Sequence, residues 1–86
     1  MIEKSITIQL NGGLEARPVA MLVQVASQHE SSVYIETEGK RVNAKSIMGM
    51  MSLALNSGEA VTVITDGSDE QEAMDSIEGY LSSKKN

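Results

Sequence analysis

Hydrophobic and polar positions alternate over the first ten residues. Every even position except Lys4 is isoleucine or leucine, whereas the odd positions from Glu3 to Gln9 are polar. Such alternation predicts a half-buried strand over residues 2–10, with one face toward the core. Asn11-Gly12-Gly13 is expected to end it, because these residues tolerate positive φ angles.

A helical period follows the strand. Pro18 suits the first turn of a helix, where a missing backbone N–H costs nothing. Apolar side chains then recur every three or four residues and predict an amphipathic helix over about residues 18–28, with a core face of Val19, Leu22, Val23 and Ala26. The opposite face carries Arg17, Ala20, Met21 and Gln24. Met21 there is either partly buried filler or a contact residue.

The middle of the chain has the pattern of a β-hairpin. Val33 and Ile35 point inward in a predicted strand over residues 32–37. Residues 37–40 form the turn, with Gly39 able to take the positive φ angle, and a short return strand over 41–44 is built around Val42. Residues 60–65 form the fourth strand, which is built on Val61, Val63 and Ile64.

Two further helices complete the pattern. The first is predicted over residues 46–55, with Ser46 as its N-cap and Asn56-Ser57-Gly58 as its end. Its apolar residues go almost all the way round, so some of Ile47, Met48 and Met51 must be exposed or lie against a partner.

The last helix is predicted to start at a capping box, either Ser68 with Gln71 or, one residue on, Asp69 with Glu72. Its core stripe is expected to consist of Ala73, Met74, Ile77, Tyr80 and Leu81. The element order is then β-α-β-β-α-β-α. With one apolar face per strand, this order predicts a single α+β domain over residues 1–86, an antiparallel sheet covered on one side by helices.

Composition and charge narrow the function. The 86 residues include no cysteine and one histidine, His29, so neither a metal site nor a bound cofactor is expected; a solvated His29 at the helix end is expected instead. The net charge is −5, and half of the twelve acids lie between Asp66 and Glu78. Direct nucleic-acid binding is therefore not expected. Without a signal-peptide pattern or a membrane-length apolar run, the expected location is cytoplasmic.

Two segments resemble the HPr family, the small phosphocarrier proteins of the bacterial sugar phosphotransferase system. They are Gly13-Leu14-Glu15-Ala16-Arg17-Pro18-Val19-Ala20 and Val42-Asn43-Ala44-Lys45-Ser46-Ile47-Met48-Gly49-Met50-Met51-Ser52-Leu53. The resemblance covers essentially the whole chain. It implies an HPr-like open-faced β-sandwich, with a four-stranded antiparallel sheet and three helices on one face.

The chain departs from that family at Glu15, where a phosphocarrier has histidine. An imidazole accepts and passes on a phosphoryl group, whereas a carboxylate forms a different, shorter-lived acyl phosphate. No catalytic residue is therefore expected, and the chain resembles most the histidine-lacking, catabolite-repression HPr-like (Crh) branch, which typically has glutamine there. Glu15 is either a plain helix-terminal acid or an imitation of part of a phosphohistidine's charge.

Ser46 is the remaining candidate site. From the residues alone it is an N-cap; the resemblance implies phosphorylation by HPr kinase/phosphorylase. The phosphorylated form would then bind a LacI-type catabolite control protein as co-repressor in carbon catabolite repression. The expected contact residues are Arg17, Ala20, Met21, Gln24, Lys45, Ile47, Met48 and Met51. The alternatives are a phosphocarrier and a phosphorylation-dependent effector of a metabolic enzyme; a homodimer is left open.

Overall fold

Seven elements follow one another in the order β-α-β-β-α-β-α in the computed structural model. The structure describes residues 1–9, 16–53 and 58–82, with side chains from residue 19 onward in the second range. The elements are β1 (Ile2–Thr7), α1 (Ala16–Ser27), β2 (Ser32–Thr37), β3 (Lys40–Asn43), α2 (Ile47–Met51), β4 (Ala60–Asp66) and α3 (Glu70–Leu81). This order is the one that the sequence predicts.

The strands of the described residues form one antiparallel sheet in the order β1-β4-β2-β3. β4 therefore lies between β1 and β2, although it is the last strand in the chain. The pairing sets Ile6 opposite Val61 and Ile35 opposite Val63. Since side chains alternate along each strand, this register puts the apolar residues of neighbouring strands on the same face.

That apolar face is covered by helices, as an open-faced α+β sandwich requires. α3 packs on β1 and β4, α2 packs on β3, and α1 packs on both other helices. The predicted core positions of the described residues are confirmed, with Ile2, Val23, Val42 and Tyr80 only partly buried at the margin of the core. Leu10 lies outside the described residues. The fully or nearly fully buried members are Ile6, Ile8, Val19, Leu22, Ala26, Val33, Ile35, Val61, Val63, Ala73, Met74, Ile77 and Leu81.

The hairpin between β2 and β3 turns through Glu38 and Gly39, whose φ angles are 50° and 77°. Two successive positive φ angles are typical of the type I′ turn that matches the twist of paired strands. The predicted turn and the role of Gly39 in it are confirmed.

The ends of the elements differ from the sequence prediction by a few residues. β1 stops at Thr7, although the Ile8 N–H still donates to the Glu59 carbonyl at 2.8 Å. α1 begins at Ala16, two residues before Pro18. α2 ends at Met51, because the Ser52 N–H and hydroxyl both donate to the Gly49 carbonyl, at 3.2 and 2.6 Å. Residues 10–15 and 54–57 lie outside the described ranges.

The predicted capping box is wrong. Asp69 is the N-cap of α3, but its side chain makes no cap hydrogen bond. Its carboxylate instead accepts bonds from the Ser31 N–H at 2.9 Å, the Glu30 N–H at 3.1 Å and the Ser31 hydroxyl. The Ser31 hydroxyl and these two N–H groups hold the pKa of Asp69 well below its usual range. The cap residue thus joins α3 to the segment between α1 and β2.

The prediction of a solvated His29 is also wrong. Its side chain is only 15% exposed, with Nδ1 3.4 Å from the Asp69 carboxylate. Nε2 lies 3.2 Å from the Ser76 hydroxyl of α3. The histidine therefore follows the end of α1 as predicted, but it is held against α3.

Candidate functional site

Ser46 caps the N-terminus of α2. Its backbone is extended, with φ −110° and ψ 114°, and its hydroxyl oxygen accepts the Gly49 N–H at 3.2 Å. Its carbonyl accepts the Met50 N–H at 2.9 Å, which is the first helical bond of α2. Ser46 as a residue is partly exposed and is not enclosed in the core. A serine so placed stabilises the helix start and lies at the surface of the chain.

Exposed apolar side chains follow Ser46 on α2. Of the five residues of α2, Met50 is fully buried and holds the helix to the core. Met48 is 83% exposed, Met51 55% and Ile47 45%. The expected apolar excess is therefore confirmed, and it lies at the surface of this chain. We call Ile47, Met48 and Met51 the α2 surface.

Lys45 precedes this helix but points away from it. Its ammonium donates to the His29 carbonyl at 2.7 Å, and its backbone N–H donates to Asn43 Oδ1 at 2.8 Å. Its positive charge therefore lies at the His29 carbonyl just after α1, where the negative end of the helix dipole favours a cation. The structure places Lys45 next to Ser46 in sequence, with its charged end engaged elsewhere. Its predicted part in partner binding stays a prediction.

α1 and α2 are neighbours, since the two helices pack together. Met21 is 47% exposed and Gln24 is exposed, while Ala20 is partly buried. Arg17 lies in the first turn of α1, but its side chain is outside the described part of the molecule, and so is Glu15. The structure thus brings the predicted residues of α1 and α2 onto neighbouring helices and leaves the helix start untested.

The described residues contain no other arrangement that suggests chemistry. Within them, no group of three or more His, Cys, Asp or Glu side chains could hold a metal ion. In the same ranges, every buried side-chain nitrogen and oxygen has a hydrogen-bond partner. None of the described helices is long and apolar enough to cross a bilayer.

Sequence reasoning missed one polar cluster, that of Asp69, Ser31 and His29. Asp69 is about 40 residues from the other two in the chain, and the local pattern around it favours an ordinary cap. Only the approach of α3 to the end of α1 brings them together. The cluster consists of bonded groups where the start of α3 meets the segment between α1 and β2, which indicates a role in stability.

Comparison with known proteins gives three kinds of match. The family model of the PTS HPr component phosphorylation site matches residues 2–83. The HPr-like protein Crh of Halalkalibacterium halodurans is 52% identical over 81 residues, which cover 94% of this chain and 96% of that protein.

Solved structures agree with these matches. The phosphocarrier protein HPr from Bacillus anthracis superimposes with a TM-score of 0.90 at 45% identity, covering 93% of this chain and 95% of that one. Crh from Bacillus subtilis, solved as a domain-swapped, intertwined dimer, gives a TM-score of 0.79 at 45% identity over 100% of this chain and 99% of that one. On sequence and fold together, the chain belongs to the HPr family and, within it, to the Crh branch.

Proposed function

We propose that this chain is a non-catalytic regulator that HPr kinase/phosphorylase phosphorylates on Ser46. The phosphorylated form then binds a LacI-type catabolite control protein as co-repressor in carbon catabolite repression and touches no DNA itself. One observation carries the proposal: a partly exposed serine caps a helix whose other outward side chains are exposed and apolar. Membership of the Crh branch supports it.

A phosphate on Ser46 would change the character of this surface. It adds a charge of about −1.5 to −2 and three acceptor oxygens at a helix start. The Gly49 N–H already points at the Ser46 oxygen. Met48 and Met51 supply an adaptable apolar area beside it. A partner with an arginine for the phosphate and an apolar groove for the methionines would recognise both.

The identity of residue 15 argues against the carrier function. The family's carrier needs an imidazole that takes a phosphoryl group on nitrogen, and this chain has Glu15 there. An anion at the start of α1 also opposes the arrival of a second anion. Ser46 is thus the site that this chain retains.

The first prediction concerns labelling by the kinase. With ATP and HPr kinase/phosphorylase, the wild type is expected to take up one phosphate and Ser46→Ala none. Intact-protein mass spectrometry measures the uptake. The matched control is Ser52→Ala, because Ser52 lies at the other end of the same helix and is exposed. Ser46→Ala removes a cap worth about 1 kcal/mol, so its fold is checked by circular dichroism.

Labelling of folded Ser46→Ala at the wild-type level would contradict the proposal, as would an unlabelled wild type. The phosphorylated wild type is then tested for binding to the repressor. Arg17, Met21, Gln24, Met48 and Met51 are its proposed contacts, with Ala20, Lys45 and Ile47 around them. Capture of a metabolic enzyme by the phosphorylated form, with no repressor binding, would favour the effector alternative.

The second prediction separates the proposal from the phosphocarrier alternative. Phosphoenolpyruvate and Enzyme I are expected to leave the wild type without label and to label Glu15→His, because only the variant offers a ring nitrogen. Phosphate uptake is followed by radiolabel in two parallel samples: one at alkaline pH, where phosphohistidine persists, and one analysed at once near neutral pH, which retains the base-labile acyl phosphate that Glu15 would form. Label on the wild type in either sample would support the carrier function and count against ours.

The cytoplasm is the proposed location of the regulator and of its proposed partners. The dimer seen for Crh of Bacillus subtilis makes a homodimer part of the proposal. Light scattering at the concentration of the binding assay distinguishes it from a monomer.

A further inference from the structure

The methionines of the described residues fall into two environments. Met48 and Met51 are 83% and 55% exposed on α2, Met21 is exposed on α1, and Met1 is exposed before β1. Met50, between the two on the same short helix, is fully buried, and so is Met74 of α3. Neighbouring positions of one helix thus offer thioethers that solvent reaches and a thioether that it does not.

We propose that the sulfurs of Met48 and Met51 are a peroxide-reactive modification site that switches off the α2 surface. A sulfur lone pair attacks one oxygen of hydrogen peroxide, the S–O bond forms and the O–O bond breaks. The other oxygen leaves with both hydrogens as water. Each sulfur loses two electrons and the peroxide gains them, which gives methionine sulfoxide.

The product has a different surface from the thioether. A sulfoxide is polar and chiral, and it demands hydrogen bonds that an apolar groove lacks. Because Met50 and Met74 hold α2 and α3 in the core and stay reduced, the fold is retained. The modification therefore removes apolar area beside Ser46 without unfolding the chain. Its regulatory meaning rests on the proposed function, since it acts on the surface that the repressor is proposed to bind.

The chemical part is tested on the unmodified chain with hydrogen peroxide alone. Peptide mapping by mass spectrometry measures the oxidation rate of each methionine. Met48 and Met51 are expected to oxidise at least about tenfold faster than Met50 and Met74, because susceptibility follows exposure. Circular dichroism of the oxidised chain is expected to match that of the reduced chain. Equal rates at buried and exposed methionines, or unfolding at the first oxidation, would overturn the proposal.

The regulatory part is tested with phosphorylated protein and the repressor. Oxidation of the wild type is expected to weaken binding about tenfold, the cost of burying a polar group without a partner. Methionine sulfoxide reductases are expected to restore it. The control is the triple variant M21L/M48L/M51L, which keeps an apolar surface of similar volume and is expected to bind equally before and after peroxide. The single variant M21L is expected to stay peroxide-sensitive, because Met48 and Met51 remain.

The two failures are distinguishable. If the reduced, phosphorylated wild type binds no repressor, the proposed function fails, and the oxidation map alone still decides whether the modification site exists. If that form binds and oxidation leaves its affinity unchanged, the modification site has no regulatory part and this inference is overturned. A peroxide-sensitive M21L/M48L/M51L would also overturn it, because the loss would then arise from another residue. A peroxide-insensitive M21L would overturn it as well, because the loss would then arise at Met21.

Discussion

Gly67→Ala is expected to lower the free energy of unfolding by about 3 kcal/mol, one of the largest effects of any single methyl group in this chain. A Cβ at residue 67 would lie 2.7 Å from the Ser31 Cα and 2.6 Å from its hydroxyl oxygen. The Cα belongs to the backbone and cannot move aside cheaply. The displaced Ser31 would also lose its bonds to Asp69. Thermal denaturation is expected to show a midpoint lower by roughly 10–20 °C.

Gly79→Ala is the matched control for this change. Gly79 lies within α3, is exposed, and a Cβ there meets nothing within 4 Å. Alanine is expected to stabilise the helix by about 0.5–1 kcal/mol because glycine loses more backbone entropy on folding. The same added methyl group is thus expected to lower the free energy of unfolding at residue 67 and to raise it at residue 79. A Gly67→Ala variant as stable as the wild type would show that Ser31 does not lie where the structure places it.

Asp69→Asn is expected to have the second large effect, a fall of roughly 5–10 °C in the melting midpoint at pH 7. Oδ1 of Asp69 accepts both bonds from Ser31, and Oδ2 accepts the Glu30 N–H. An asparagine has one acceptor oxygen, so its amide group would face a donor. Ser31 is buried, and its polar groups cannot turn to water instead. The matched control is Asp75→Asn, which makes the same charge change at an exposed position of α3. An asparagine there keeps the Oδ1 atom that accepts a bond from the Gln71 amide.

The Asp69 effect is also expected to depend on pH in a defined direction. Because its folded-state pKa is lowered, the carboxylate's contribution to stability is fully present above its ordinary pKa of 3.8. It is lost as the pH falls below that value toward the folded-state pKa. The difference in melting midpoint between the wild type and Asp69→Asn should therefore shrink from pH 4 downward. A difference that is constant between pH 7 and pH 2 would contradict the proposed bonds.

The fold could be predicted from the sequence because its periodic signals are local. Val33 and Ile35 alternate with polar neighbours, and Val19, Leu22 and Ala26 recur at helical spacing; all five are buried where the pattern puts them. The ends of the elements were less predictable. The end of α2 depends on two bonds from Ser52 to a single carbonyl, which no periodicity shows.

The two errors have the same cause. A polar side chain that the sequence predicts to bond within its own helix, or to water, bonds instead to a segment that is distant in the chain. Asp69 and its neighbours have the pattern of a capping box, but the Ser31 and Glu30 N–H groups take the carboxylate from the other side. His29 was expected in water for the same reason, since nothing near it in sequence shows that Ser76 will adjoin it. Such contacts join the segment after α1 to α3, so only the assembled fold reveals them.

The candidate site was predictable in part. The N-cap role of Ser46 can be predicted from its residue type and position. The exposure of the methionines can be predicted because apolar residues surround α2, and so small a helix cannot bury all of them. The bond from the Lys45 ammonium to the His29 carbonyl could not be predicted from the sequence. It joins the end of the β2–β3 hairpin to the end of α1, which only the fold brings together. What Glu15 contributes stays a prediction.

The position of β4 in the middle of the sheet has a consequence for synthesis on the ribosome. Within the described residues β1 pairs only with β4, and Ile2 lies opposite Thr65. β1 must therefore wait for about 60 further residues, roughly 3–12 s of translation at ordinary rates, before this partner exists. During that interval its apolar side chains are uncovered, and a chaperone or the same strand of a neighbouring nascent chain has its best opportunity to engage it.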